Sequence, residues 1–148
     1  MIDWKNKVIK AVDEKPPSEN SLNQAPGSRS DFDLIDSPSD RLDPLSLKPA
    51  SVIVGIVDGD IPQLFLTKRS DQLEQHSGQI AFPGGKVEEG ESFTEAAIRE
   101  AEEEVGLTLP DYEICGYLDT YETGTGYRIL PVVVFIKSDF IPQIDVNE

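Results

Sequence analysis

Basic side chains are scarce in this chain: 13 lysines and arginines stand against 28 aspartates and glutamates, for a formal net charge of −15. So acidic a surface lacks the basic footprint that displaces counterions from nucleic acid or meets anionic lipid, and neither is expected as a partner. Cysteine is nearly absent as well. Cys115 is alone, which permits no internal disulfide, and its place in the apolar run from Tyr112 to Leu118 reads as an inert buried thiol. Long apolar runs are missing: nothing approaches the roughly 18 residues of a spanning helix, and the N-terminal MIDWKNKVIKAV has neither the apolar stretch nor the cleavage site of a secretory signal. A cytoplasmic location is the expectation that follows. The single histidine, His76, lies in a polar stretch with no second ligand at helical spacing, and reads as a structural residue rather than a base.

What is present fits one domain: 148 residues, of which 38% are hydrophobic. Residues 1–48 read as an N-terminal segment. A short amphipathic helix with apolar positions Ile2, Trp4, Val8, Ile9 and Val12 leads into an arm rich in Pro, Ser and Asp, with Phe32, Leu34 and Ile35 as candidate anchors. Residues 49–148 carry the periodic pattern of a folded domain. The β-branched run 51–57 and the run 63–67, joined by Asp58-Gly-Asp-Ile-Pro62, predict a hairpin. A short strand at 80–82 leads into Pro83-Gly84-Gly85. Later strands are expected at 112–120 and 128–137, and Pro131 inside the second predicts an edge or a bulge there. The turn Glu122-Thr-Gly-Thr-Gly-Tyr127 between them reads either as a plain hairpin loop or as part of a ligand pocket.

The stretch 85–107, GKVEEGESFTEAAIREAEEEVGL, organises the rest. Ser92 and Glu95 have capping-box spacing, Gly106 sits where a left-handed cap belongs, and Ile98, Ala101 and Val105 form an apolar stripe. On the resulting helix Glu100, Glu103 and Glu104 are neighbours three and four apart, where like charges repel. The repulsion disappears if a divalent cation sits among them, since Mg²⁺ takes carboxylate oxygens together with water and substrate phosphates. A solvated acidic face is the plainer reading of such a run.

Gly85, Glu91, Arg99-Glu100, Glu103-Glu104 and Gly106, with Ala101 and Leu107 at the apolar positions, resemble the Nudix box in register. The resemblance implies an α/β fold, an α/β/α sandwich with a mixed sheet, and metal-dependent hydrolysis of a nucleoside diphosphate joined to another group. It also implies Mg²⁺ or Mn²⁺ held by Glu100, Glu103, Glu104 and the Gly85 carbonyl, with Glu103 a candidate catalytic base. Arg99 and Glu91 are implied to brace the loop against the helix. The chain ends at Glu148, short of the strand and C-terminal helix of that fold, which predicts a truncated or unusually short version. A bare sheet face would favour a homodimer.

A second signature lies upstream. Thr67, Arg69, Ser70, Gly78, Phe82, Pro83, Gly84 and Gly85 resemble the pattern of the coenzyme A pyrophosphatase branch of that family, with Glu74 where the branch has arginine. The resemblance implies that coenzyme A or its thioesters are cleaved to 3′,5′-ADP and 4′-phosphopantetheine. Lys68 and Arg69 are candidates for phosphate contact, Tyr127 and Tyr121 for stacking on the base, and Glu148 for an additional carboxylate. Glu74 keeps open a pyrophosphohydrolase of other nucleotides. A non-catalytic nucleotide-binding module is the alternative of another class.

Overall fold

The structure, a computed structural model, describes residues 3–18, 22, 29–30, 46–69, 71 and 78–144. Phe32, Leu34, Ile35, Ser70, Glu74, His76 and Glu148 lie outside the described residues. In chain order the elements are α1 (Trp4–Ala11), β1 (Arg29–Ser30), β2 (Lys48–Val57), β3 (Gln63–Phe65), β4 (Thr67–Lys68), β5 (Ile80–Ala81), β6 (Gly84–Lys86), α2 (Phe93–Val105), β7 (Tyr112–Tyr117), β8 (Tyr121–Glu122) and β9 (Tyr127–Ile136).

The long apolar strands β2 and β9 form the centre because both faces of a parallel pair must be covered, which their nearly continuous Val, Ile and Leu permit. They run parallel from Lys48 opposite Tyr127 to Val57 opposite Ile136. β2 then pairs antiparallel with β3 and with β6, and β9 pairs antiparallel with β7 and β8, so the sheet is mixed. β1 adds a parallel strand to β8, while β4 and β5 make a separate two-stranded ribbon. The predicted hairpin at 51–67 is found, and strands β7 and β9 occupy the two later stretches expected at 112–120 and 128–137.

One expectation is corrected. Pro131 lies in the central strand β9, opposite Val52, and not at an edge. Its carbonyl accepts from the N–H of Leu118. Because N–H and C=O of a strand residue point to the same side, the missing donor of Pro131 faces the gap where β7 has ended and β8 has not begun. The irregularity of the ladder is between Ile114 and Gly116 in β7 instead.

Helix α2 packs on one face. Phe93, Ala97, Ala101 and Val105 meet Ile53 and the alternating Leu130, Val132, Val134 and Ile136 in a single core. Small alanines let the helix approach the sheet, and Ile98, placed on the stripe by the sequence reading, is only half-buried. The opposite face of β9 presents Phe135, and there α1 docks. The Trp4 ring meets Phe135 edge-on at 5.5 Å, its indole N–H donates to the Gly59 carbonyl at 3.2 Å, and Lys5 pairs with Asp58 at 2.5 Å. The N-terminal helix thus supplies the third layer of the sandwich. No helix among the described residues is long and apolar enough to cross a membrane.

The arm is anchored by Leu22, buried in the core, whose carbonyl accepts a hydrogen bond from the Arg128 guanidinium. Arg128 and Glu122, both almost fully buried, face each other across β8 and β9 with 3.7 Å between charged atoms.

An eight-residue helix is marginal alone in water, so α1 persists only through its docking. Trp4→Ala is therefore expected to lower unfolding free energy by about 2 kcal/mol, less than full core truncation because Trp4 is half-buried. Urea unfolding of the two proteins measures it; an unchanged midpoint would mean that α1 does not dock in solution.

Candidate functional site

Helix α2 starts and stops where its sequence dictates. The Ser92 hydroxyl accepts from the Glu95 N–H at 3.1 Å and the Glu95 carboxylate accepts from the Ser92 N–H at 2.8 Å, a complete capping box. Gly106, at φ 72° and ψ 22°, turns the chain left-handed, and its N–H returns to the Glu102 carbonyl at 2.9 Å. These two ends fix which way each glutamate of the helix faces.

Opposite the helix runs the glycine bend. The Pro83 carbonyl accepts from the Ile53 N–H at 2.7 Å, which draws the bend against β2. A Cβ on Gly84 would lie 2.3 Å from the Ser51 carbonyl oxygen, so only glycine fits. A Cβ on Gly85 would lie 2.5 Å from the Glu100 carboxylate. The bend and Glu100 are therefore in direct contact across the space that a side chain would otherwise fill.

Arg99 holds this arrangement. Its Nε and Nη2 donate to the two oxygens of Glu91 at 2.7 and 3.1 Å, a two-point fork. Nη2 also donates to the Lys86 carbonyl at 3.1 Å, and Nη1 donates to Glu100 at 2.9 Å and to Glu103 at 3.4 Å. All five N–H groups of a guanidinium are thereby used. The hydrogen bonds from Arg99 hold the Glu91 carboxyl below the usual carboxylate range against the opposing effect of burial, and the Glu88 N–H helps at 2.9 Å. Hydrogen bonding to Glu91 in turn pushes the Arg99 pKa up.

A cavity of about 570 Å³ lies beside this hub. Glu100, Glu104, Gly84 and Gly85 line it, and so do Lys68 and Arg69. Five residues singled out from the sequence, Lys68, Arg69, Gly85, Glu100 and Glu104, are thus brought together. Glu103 is not on the cavity: its side chain is 53% exposed and leans on Arg99. No three His, Cys, Asp or Glu side chains among the described residues converge closely enough to hold an ion by themselves. Tyr127 is also off the cavity, with the Lys86 ammonium 5.9 Å from its ring centroid, and Tyr121 is absent from the lining. The turn 123–126 is a hairpin loop, closed by the Thr123 N–H on the Tyr127 carbonyl at 2.8 Å. Cys115 is half-buried on β7, and burial pushes its thiol pKa up.

Two features escaped the sequence reading. The apolar wall of the cavity, including Leu66, Phe65 and Phe82, was taken for strand core and motif. The buried Glu122–Arg128 pair went unremarked, although opposite charges flanking a tight turn are a cross-strand signal.

A helix bearing carboxylates, set over a glycine bend on a mixed sheet, defines the Nudix class of fold. Residues 47–143 match the NUDIX domain, and the chain belongs to the Nudix family. It is similar to a Nudix hydrolase of Shigella flexneri named NudL and described as uncharacterized, with 42% identity over 109 residues covering 73% of this chain and 56% of that protein. The NudL of an Escherichia coli strain is 41% identical over the same length. This chain thus spans little more than half the length of these curated relatives. Among solved structures, a binary complex of the C. elegans Ap4A hydrolase superposes with a TM-score of 0.57 at 20% identity, over 66% of this chain and 72% of that one. RenU, a Nudix hydrolase of M. smegmatis, gives 0.55 at 18% identity, over 66% of this chain and 64% of that one.

The Glu91–Arg99 fork yields a pH-dependent prediction. Because the folded carboxyl titrates below its unfolded value of about 4.3, its stabilisation is present above that value and is lost as pH falls through the lower, folded one. Glu91→Gln is expected to cost about 1 kcal/mol at pH 7, a figure moderated by solvent at Arg99, and progressively less as pH falls below about 4. Urea titrations across the acid range compare the two proteins; a gap that does not narrow on acidification would contradict the charge-assisted fork.

Proposed function

We propose that this chain hydrolyses the diphosphate of coenzyme A or of its thioesters, giving 3′,5′-ADP and 4′-phosphopantetheine, with Mg²⁺ or Mn²⁺. The observation that carries the reading is one cavity lined both by Glu100 and Glu104 and by Lys68 and Arg69. A diphosphate needs both: cations for its own charge, and carboxylates for the metal that shields it. Coenzyme A is favoured over other diphosphates by the register match of Thr67, Arg69, Gly78 and Phe82 to Gly85.

The donor set fits such a metal. Glu100, Glu104 and the Gly85 carbonyl would hold it, in line with the one or two carboxylates that Mg²⁺ takes beside water and phosphate. When bound, the metal neutralises phosphate oxygens and acidifies the attacking water. Arg69, whose planar fork can take two phosphate oxygens, and Lys68, a point charge, orient the diphosphate. Water adds to one phosphorus, its proton passes to a carboxylate, and the bridging P–O bond breaks to leave two phosphate monoesters. Glu103 is our candidate for that carboxylate, since its single 3.4 Å contact to Arg99 leaves it able to turn toward the diphosphate. Arg99 and Glu91 position the loop and helix, and Tyr127 stands outside the substrate site.

Glu74, acidic where the branch has arginine, favours a second reading in which another nucleoside diphosphate derivative is the substrate. Incubation with coenzyme A, ADP-ribose and 8-oxo-dGTP in Mg²⁺ separates the two. Cleavage of coenzyme A is expected. Turnover of the other two compounds with none of coenzyme A decides for the second reading. Glu104→Gln is expected to lower the rate by more than about a hundredfold at unchanged melting temperature, beyond what groups merely supporting a ligand cost. Gly85→Ala is expected to lose activity yet fold, because the group displaced is the flexible end of Glu100. Undiminished activity in Glu104→Gln would overturn the assignment.

A further inference from the structure

The cavity has an apolar part that neither the carboxylates nor the cations explain. Leu66 and Ile144 line it while 45% and 73% exposed, and Phe65, Phe82 and Pro142 continue it. Phe65 is fixed from behind by the Phe140 ring, edge-on at 6.0 Å. The side chains of this part offer few hydrogen bonds. Its hydroxyl, on Thr67, is spent on the Ala81 carbonyl at 3.1 Å, and the charged groups of Lys68 and Arg69 are the remaining side-chain donors among the described residues of that side.

A ligand that laid a second sugar here would set hydroxyls against Leu66, Phe65 and Phe82, stripping their water without replacement, which costs free energy for each group. A chain of methyl and methylene groups would instead cover exposed apolar surface and gain from it. We propose that this wall is a specificity subsite for an uncharged, largely apolar chain esterified to the second phosphate, with Leu66 its principal contact. The inference deepens the reading above and rests on it only in taking this cavity as the diphosphate site; it does not require the chain to be pantetheine.

The test uses ADP esterified on its β-phosphate with methyl, butyl or octyl groups, so that the nucleotide half stays constant. For the wild-type protein with Mg²⁺, KM is expected to fall at least tenfold from methyl to octyl. In Leu66→Ser that gain shrinks to threefold or less, the loss falling far more on the octyl than on the methyl ester. Because Leu66 is half-exposed, the fold should tolerate the change, and Ile144→Ser provides a second, independent loss of chain-length dependence. Calorimetric binding of the same series is measured alongside. A KM and an affinity independent of chain length in wild type, or an equal loss on the methyl ester in Leu66→Ser, would overturn the proposal. Failure of coenzyme A as a substrate with the chain-length gain intact would leave this inference standing and remove only the choice of coenzyme A.

Discussion

The account depends on one guanidinium. Arg99 sits among Glu91, Glu100 and Glu103 and also takes the Lys86 carbonyl, so that it closes loop 86–91 onto helix α2 and offsets the mutual repulsion of the acidic run. Without it the loop would lose its tie to the helix, and the carboxylate of Glu100 would lose a hydrogen bond beside Gly85. Lysine could not substitute, because a compact ammonium with three donors cannot serve five acceptors placed around a plane. The hub also divides the glutamates. Glu91 and Glu103 meet Arg99 away from the cavity, while Glu100, which Arg99 also holds, and Glu104 line it.

The local parts of this arrangement were legible in the residues. Ser92 and Glu95 announced the start of α2 and Gly106 its end, because capping chemistry is decided within a few positions of the chain. The hairpin at 51–65 was legible for the same reason. The tertiary parts were not. Residues 100, 103 and 104 are neighbours on any helix, and only the placement of Arg99 and of the bend decides that the second of them turns away from the cavity. Pro131 looked like an edge marker because a missing N–H is harmless at an edge; a gap between two short neighbours makes it equally harmless at the centre. Leu22, isolated in a polar arm, gave no periodic signal, yet it is buried in the core beneath Arg128.

The apolar cover of the second sheet face shows how sequence distance can mislead. Trp4, some 130 residues away in sequence from Phe135, packs on that face. The N-terminal helix is thereby tied to the domain that carries the site, through an aromatic contact, an indole hydrogen bond to Gly59 and a lysine pair with Asp58. Stability of the sandwich and geometry of the cavity are coupled through β2, which carries Gly59's turn at one end and holds the bend at Ile53.

The central proposal is that Glu100, Glu104 and the Gly85 carbonyl hold a divalent cation. Anomalous scattering from crystals of the full chain soaked in Mn²⁺ tests it most directly. The account predicts a manganese peak at coordination distance from both carboxylates and that carbonyl, on the wall facing Lys68 and Arg69. Manganese bound only elsewhere, or a cavity that stays without a peak at saturating Mn²⁺, would contradict it.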